Sequence, residues 1–171
     1  MKKPNSLLQA ATHLKPQSAP FKILILGGYG AFGKKIASEL FKHNHHSTGS
    51  ANEIIIAGRN LQSALQFKDQ LQSLSDKKTN NVHATSVDAN SVKSLRECLE
   101  SSQPDLVINT CGPFQGQNYH VAEECIEKMV NYVDLSDSRE FLRNFSKELN
   151  DKAVKNNVLA VCGGWYYLIF Q

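Results

Sequence analysis

The sequence predicts a doubly wound α/β fold, a six-stranded parallel sheet in the order 3-2-1-4-5-6 with helices on both faces. Three observations carry this. Short, continuous apolar runs bounded by turn residues recur along the chain, the pattern of strands buried on both faces. Segments with apolar residues at helical spacing separate them, and parallel strands joined through helices need right-handed crossovers. A glycine-rich turn joins the first strand to the first helix.

Phe21 to Leu26 is the first strand, ended by glycines. Ala31 to Lys42 follows as a helix with Phe32, Ile36, Leu40 and Phe41 as its apolar positions. A polar loop, His43 to Asn52, precedes the second strand, Glu53 to Ala57; His43, His45 and His46 read as solvated loop residues. The second helix, Leu61 to Leu74, is expected to turn Leu61, Leu65, Leu71 and Leu74 inward. Val82 to Val87 is the third strand. Ser91 then caps a helix running to Ser101, with Val92, Leu95 and Leu99 facing the core. Asp105 to Thr110 is the fourth strand, Gln117 to Met129 a helix, and Tyr132 to Leu135 the fifth strand. Ser138 to Asn156 is helical, and Val158 to Cys162 is the sixth strand.

The 171 residues suit one domain, placed at 21–164. With 41% hydrophobic and 20% charged residues, disordered and fibrous classes are excluded. A net charge of +3 is too mild a bias to argue for nucleic acid, and a phosphate-bearing small ligand accounts for it equally well. Cys98, Cys111, Cys125 and Cys162 form no CxxC pair, so neither a zinc site nor a disulfide scaffold is expected. Reduced thiols and the lack of a membrane-length apolar run point to the cytoplasm. Residues 1–20 carry Pro4, Pro16 and Pro20 and read as a mobile N-terminal extension. It lacks acidic residues, as transit peptides do, but also lacks arginine. Residues 165–171 form an apolar tail, Trp165 to Phe170, that is expected to promote homo-oligomers.

The chemistry concentrates in ILILGGYGAFGKKIASEL, which holds G-x-G-x-x-G at Gly28, Gly30 and Gly33. The match gains meaning from its place after a buried strand and at the start of an amphipathic helix. One glycine permits the turn, one lets the backbone approach a pyrophosphate, and Gly33 lets helix and strand pack closely. First-turn amides and the helix dipole then favour phosphate, which makes this a Rossmann-type dinucleotide loop built from Gly28, Tyr29, Gly30, Ala31, Phe32 and Gly33. The alternative is a glycine-rich turn that binds nothing.

Preference between cofactors is read at the end of the second strand. An acid there accepts from the ribose 2′-hydroxyl of NAD. Here the residues are Arg59 and Asn60, and a guanidinium suits the 2′-phosphate of NADP, so NADP is expected before NAD. A solvated arginine capping a loop is the competing account. Ligands of this fold bind at strand carboxyl ends, which selects three further places. Asp88 would accept from the adenine amino group or cap the next helix. Asn109, Cys111, Gly112 and Pro113 would pass the ribose and nicotinamide. Asp134, with Ser136, would face the substrate side or serve the turn, and Phe114 is placed on the substrate side with Asp134.

Together GGYGAFG, AGR, the VD at Asp88, INTCGPF and NYVDLSD resemble the N-terminal NADP-binding domain of saccharopine dehydrogenase-like proteins, from about Phe21 to Gly164. The resemblance implies phosphate contacts at Gly28 to Gly33 and an adenosine-phosphate role for Arg59. It also implies ribose or nicotinamide contacts from Asn109 to Phe114, with Asp134 near the substrate cleft. Family members continue into a substrate-binding domain, whereas this sequence ends at Gln171, so it is expected to be truncated before that domain and inactive alone. Two functions follow: the cofactor domain of an oxidoreductase that moves hydride to or from an imine or amine carbon, or a non-catalytic nucleotide-sensing or protein-interaction module. A short-chain reductase is disfavoured, because Tyr119, Tyr132, Tyr166 and Tyr167 lack a lysine four residues on. The catalytic residues and the substrate are not readable.

Overall fold

The computed structural model describes residues 19–46, 52–74 and 81–164. The N-terminal extension to residue 18 and the apolar tail at 165–171 lie outside the described residues, and with them the expectations of mobility and of tail-driven self-association.

The elements are β1 (Lys22–Leu26), α1 (Ala31–His46), β2 (Glu53–Gly58), α2 (Leu61–Ser73), β3 (Val82–Ser86), α3 (Val92–Ser102), β4 (Leu106–Asn109), α4 (His120–Glu127), β5 (Asn131–Asp134), α5 (Arg139–Lys155) and β6 (Ala160–Val161). All paired strands are parallel, and the sheet order is β3-β2-β1-β4-β5-β6, as the sequence predicts.

The continuous apolar runs are explained by burial on both faces. Along β1, Leu24 and Leu26 join one core cluster while Ile23 and Ile25 join the other. The first cluster packs Leu95 and Leu99 of α3, Cys125 of α4, and Phe141, Phe145 and Leu149 of α5. The second packs Ala37 and Phe41 of α1 and Ala64, Phe67 and Leu71 of α2. Each fully buried aliphatic side chain contributes about 1.5–3 kcal/mol.

Some helix faces differ from expectation. On α2 the buried residues are Ala64, Phe67 and Leu71, while Leu61 and Leu74 are exposed. Leu71 lies on the buried stripe as expected, but Ala64 and Phe67 complete it in place of Leu61 and Leu74. On α3, Val92 is exposed and Cys98 takes its place, and on α1, Phe32 is exposed. Helix α1 also continues through His46, so His43 is helical and not in a loop. Asn44 is buried there and bonds both ways with Asn52, donating to its carbonyl (2.9 Å) and accepting its amide (3.1 Å). Helix α4 starts at His120, three residues later than expected, because Gln117 uses its side-chain amide on the carbonyls of Cys111 (3.3 Å) and Pro113.

The register places the site. Leu26 is level with Ala57 on one side and Asn109 on the other, and Asn109 is level with Asp134. The chain winds from β1 outward to β3, then returns to β4 on the opposite side of β1. Loops after β1 and β4 therefore diverge, opening the crevice where this architecture binds ligands.

Candidate functional site

The loop after β1 folds tightly. Gly30 N–H donates to Gly27 O (2.8 Å), and Lys34 N–H to Gly30 O (2.9 Å) begins the α1 ladder. Ala31, Phe32 and Gly33 precede that first bond, so their amides form the helix's N-terminal turn. Gly27 has φ +73°, and a Cβ on it would meet Thr110 Oγ1 at 2.7 Å. A Cβ on Gly33 would collide with Gly27 O and lie 2.6 Å from Gly28 Cα, whereas on Gly30 it would meet only Gly27 O, at 3.1 Å. Gly33 is thus the packing glycine, and Gly30 faces open space.

A cleft of about 340 Å³ lies beside this loop, walled by Tyr29 and Gly30, by Gly58 and Arg59, and by Asp88 and Cys111 to Pro113. Arg59 is exposed, with no ion-pair partner among the described residues. Its carbonyl accepts from Ser86 Oγ (3.3 Å). Asn60 follows it and caps α2, its Oδ1 accepting Ser63 N–H (3.0 Å). Asp88 accepts Asn90 N–H (3.0 Å), and the cap of α3 is Ser91. The helix-cap alternative for Asp88 is therefore excluded, and Asp88 lines the cleft.

A second cleft of about 270 Å³ shares Thr110, Gly112 and Pro113 with the first and continues past Phe32, Phe114 and Leu135 to Asp137. The Gly112–Pro113 peptide between them is cis. Phe114 is buried against Phe141, edge to face at 5.6 Å. One trough therefore runs along the carboxyl edge of the sheet, from a cationic end at Arg59 past a glycine-lined helix terminus to an apolar end.

The described sequence matches the family model of the saccharopine dehydrogenase NADP binding domain over residues 23–161. The chain belongs to that family. A probable mitochondrial saccharopine dehydrogenase-like oxidoreductase of Arabidopsis thaliana is 26% identical over 152 residues, covering 87% of this chain and 33% of its own length. The carboxynorspermidine synthase of Vibrio alginolyticus is 30% identical over 111 residues, covering 64% of this chain and 25% of its own. The chain thus spans a third or less of these curated relatives. Apo saccharopine dehydrogenase (L-Glu forming) from Saccharomyces cerevisiae superposes with a TM-score of 0.58 at 20% identity, over 84% of this chain and 27% of that one. L-sorbose reductase from Gluconobacter frateurii, solved with NADPH and L-sorbose, gives 0.61 at 15% identity, over 84% and 68%. These two likenesses speak to the fold.

In this saccharopine dehydrogenase-family domain, two strand-end residues lie beneath the trough. Asn109 is 2% exposed and lies under the trough: its Oδ1 accepts Cys111 N–H (3.0 Å) and its Nδ2 donates to Tyr132 Oη (3.2 Å). Asp134, read as facing the substrate side or serving the turn, is completely buried and serves the turn. Its Oδ2 accepts the Tyr132 hydroxyl (3.0 Å), and its Oδ1 accepts the amides of Ser136 (2.9 Å) and Gly163 (3.0 Å). Burial raises its pKa, while those two amides and the Tyr132 hydroxyl pull the other way. The carboxylate therefore ties the turns after β5 and β6 together and, through Tyr132, to Asn109 of β4, supporting the trough from below. Replacing Asp134 by alanine leaves three donors without their acceptor, two of them buried, so a loss of about 3 kcal/mol or more is expected. The urea midpoint reads this; an unchanged midpoint would contradict the structural role.

Two contributors escaped the sequence reading. Tyr132 links Asn109 to Asp134, and its own pKa is pushed well up by burial. His120 donates from Nε2 to Ala89 O (2.6 Å), pinning the turn beside Asp88 to the start of α4. A lone histidine carries no motif that would reveal this. Burial likewise raises all four thiols, Cys111 to about 11, which favours the protonated thiol at neutral pH in this cleft cysteine. Among the described residues no helix is long and apolar enough to cross a membrane, and no group of His, Cys, Asp and Glu is arranged for a metal.

Proposed function

We propose that the domain binds NADP(H) in preference to NAD(H) and forms the cofactor half of an oxidoreductase acting at an imine or amine carbon. The observation that carries the reading is Arg59, exposed on the cleft wall at the end of β2 with no acid paired to it among the described residues. The glycine cradle fits a dinucleotide, since a side chain at Gly30 would project into the one open direction of the turn.

In this reading Gly28 to Gly33 present amides and the α1 dipole to the pyrophosphate. Arg59, beside Asn60, takes the 2′-phosphate through charge-assisted bonds. Asp88 accepts from the adenine amino group. Cys111, Gly112 and Pro113 border the ribose and nicotinamide, with Asn109 holding their turn. The apolar end at Phe32, Phe114 and Leu135 shields the reacting face from water, and Asp134 keeps that floor in place. When bound, the cofactor supplies a hydride donor or acceptor.

Saturating NADPH, at about a hundred times its Kd, stabilises a binding domain by about 2.7 kcal/mol. A rise of several degrees in Tm is therefore expected for this 171-residue chain, with no oxidation of NADPH against keto-acid and amine pairs. Positioning and exclusion of water from the open trough supply much of a hydride-transfer rate, and the curated relatives, of which the matched region is a third or less, carry more chain for both. An unmoved Tm with NADPH would overturn the binding reading. Turnover by these residues alone would show that the trough holds a complete substrate site.

A further inference from the structure

We propose that Tyr29 is a positioning residue for cofactor discrimination, holding the Arg59 turn against the phosphate loop so that its guanidinium meets the 2′-phosphate in one place. The inference rests on the NADP reading above and adds to it the role of a side chain that stands between two glycines of the motif.

Tyr29 stands between the glycines of GGYG, where the turn itself asks of a side chain only that it avoid the pyrophosphate. Instead its hydroxyl accepts Asn60 N–H at 2.9 Å, across 31 residues of sequence. Its ring lies against Gly58: a Cβ on Gly58 would fall 2.6 Å from Tyr29 Cε1 and 2.9 Å from Cζ and Oη. Gly58 does not have a positive φ, so its backbone would accept other residues. The ring is what excludes a side chain there.

Arg59 sits between these two contacts. Before it, Gly58 O accepts Val87 N–H (3.1 Å), and its own carbonyl accepts Ser86 Oγ. After it, Asn60 is fixed twice, by Tyr29 through its amide and by α2 through its cap bond. A long arginine side chain finds a small anion only if its Cα is fixed, because a mobile turn must be ordered when the ligand arrives. Gly28 N–H also donates to Ala57 O (3.0 Å), so Tyr29 stands on a loop already tied to the same strand. Pyrophosphate cradle and 2′-phosphate site are thereby built as one rigid piece.

The test is a double-mutant cycle read as the ratio of NADH to NADPH dissociation constants, in which effects common to both cofactors cancel. Tyr29→Phe keeps the ring and removes the acceptor. It is expected to lower the ratio by about three- to tenfold, the range of one lost hydrogen bond. On the Arg59→Ala background the same change should leave the ratio unaltered. Gly58→Ala, which drives the ring off its seat, should lower the ratio in the same direction. A ratio unmoved by Tyr29→Phe, or lowered equally with and without Arg59, overturns the proposal while leaving the NADP reading intact. Should Arg59→Ala alone leave the ratio unchanged, both readings fall.

Discussion

Gly30→Val is expected to abolish nicotinamide dinucleotide binding while the domain stays folded, and Gly33→Val is expected to cost the fold as well. The two differ because their Cβ positions differ. At Gly30 an added Cβ meets only Gly27 O at 3.1 Å, so a small shift accommodates it and the branches point into the cleft. There they stand where the pyrophosphate must approach backbone amides. At Gly33 the Cβ would overlap the Gly27 carbonyl and the Gly28 backbone, which belong to the rigid end of β1. Neither can retreat, because Leu26 and Ile25 are fully buried and Gly28 is bonded to Ala57. Overpacking of this kind costs about 1–3 kcal/mol or more. Circular dichroism and urea melts separate the two outcomes. Undiminished NADPH affinity in Gly30→Val would show that the loop is only a turn.

Arg59→Ala is expected to remove most of the preference for NADPH while leaving stability nearly unchanged. The side chain is exposed and makes no ion pair among the described residues, so the fold loses little. A charge-assisted hydrogen bond to the 2′-phosphate is worth about 1.5–3 kcal/mol, which is roughly ten- to a hundredfold in affinity. NADH lacks that phosphate and should bind the variant about as well as the unmutated protein. Raised salt should weaken NADPH more than NADH, because the contact is exposed and screened.

Most of the architecture was legible in the sequence because burial on both faces leaves few polar residues inside a strand. Ile23 to Leu26 and Ile54 to Ala57 could hardly be anything but central strands, and the glycine loop fixed which end of the sheet carries the site. What was misread or left open has physical causes. Asp134 and Asn109 stand at strand ends, where a polar residue is as ready to serve the crevice as to serve a turn. Strand alternation held the answer: Asp134 lies two residues from Tyr132, shares its face, and so points into the core that buries that ring. The continuation of α1 through His43 and Asn44 had no apolar signal, since its partner is the backbone of Asn52. The stripe on α2 was misplaced because the leucine positions outnumber the buried ones, and the sheet selects by fit.

The most direct measurement is a titration of the unmutated protein with NADPH and with NADH at one salt concentration, followed by nicotinamide fluorescence. The account predicts saturable binding of both and a dissociation constant for NADPH lower by about tenfold or more, from a charge-assisted contact at Arg59. Equal dissociation constants, or tighter binding of NADH, would contradict it.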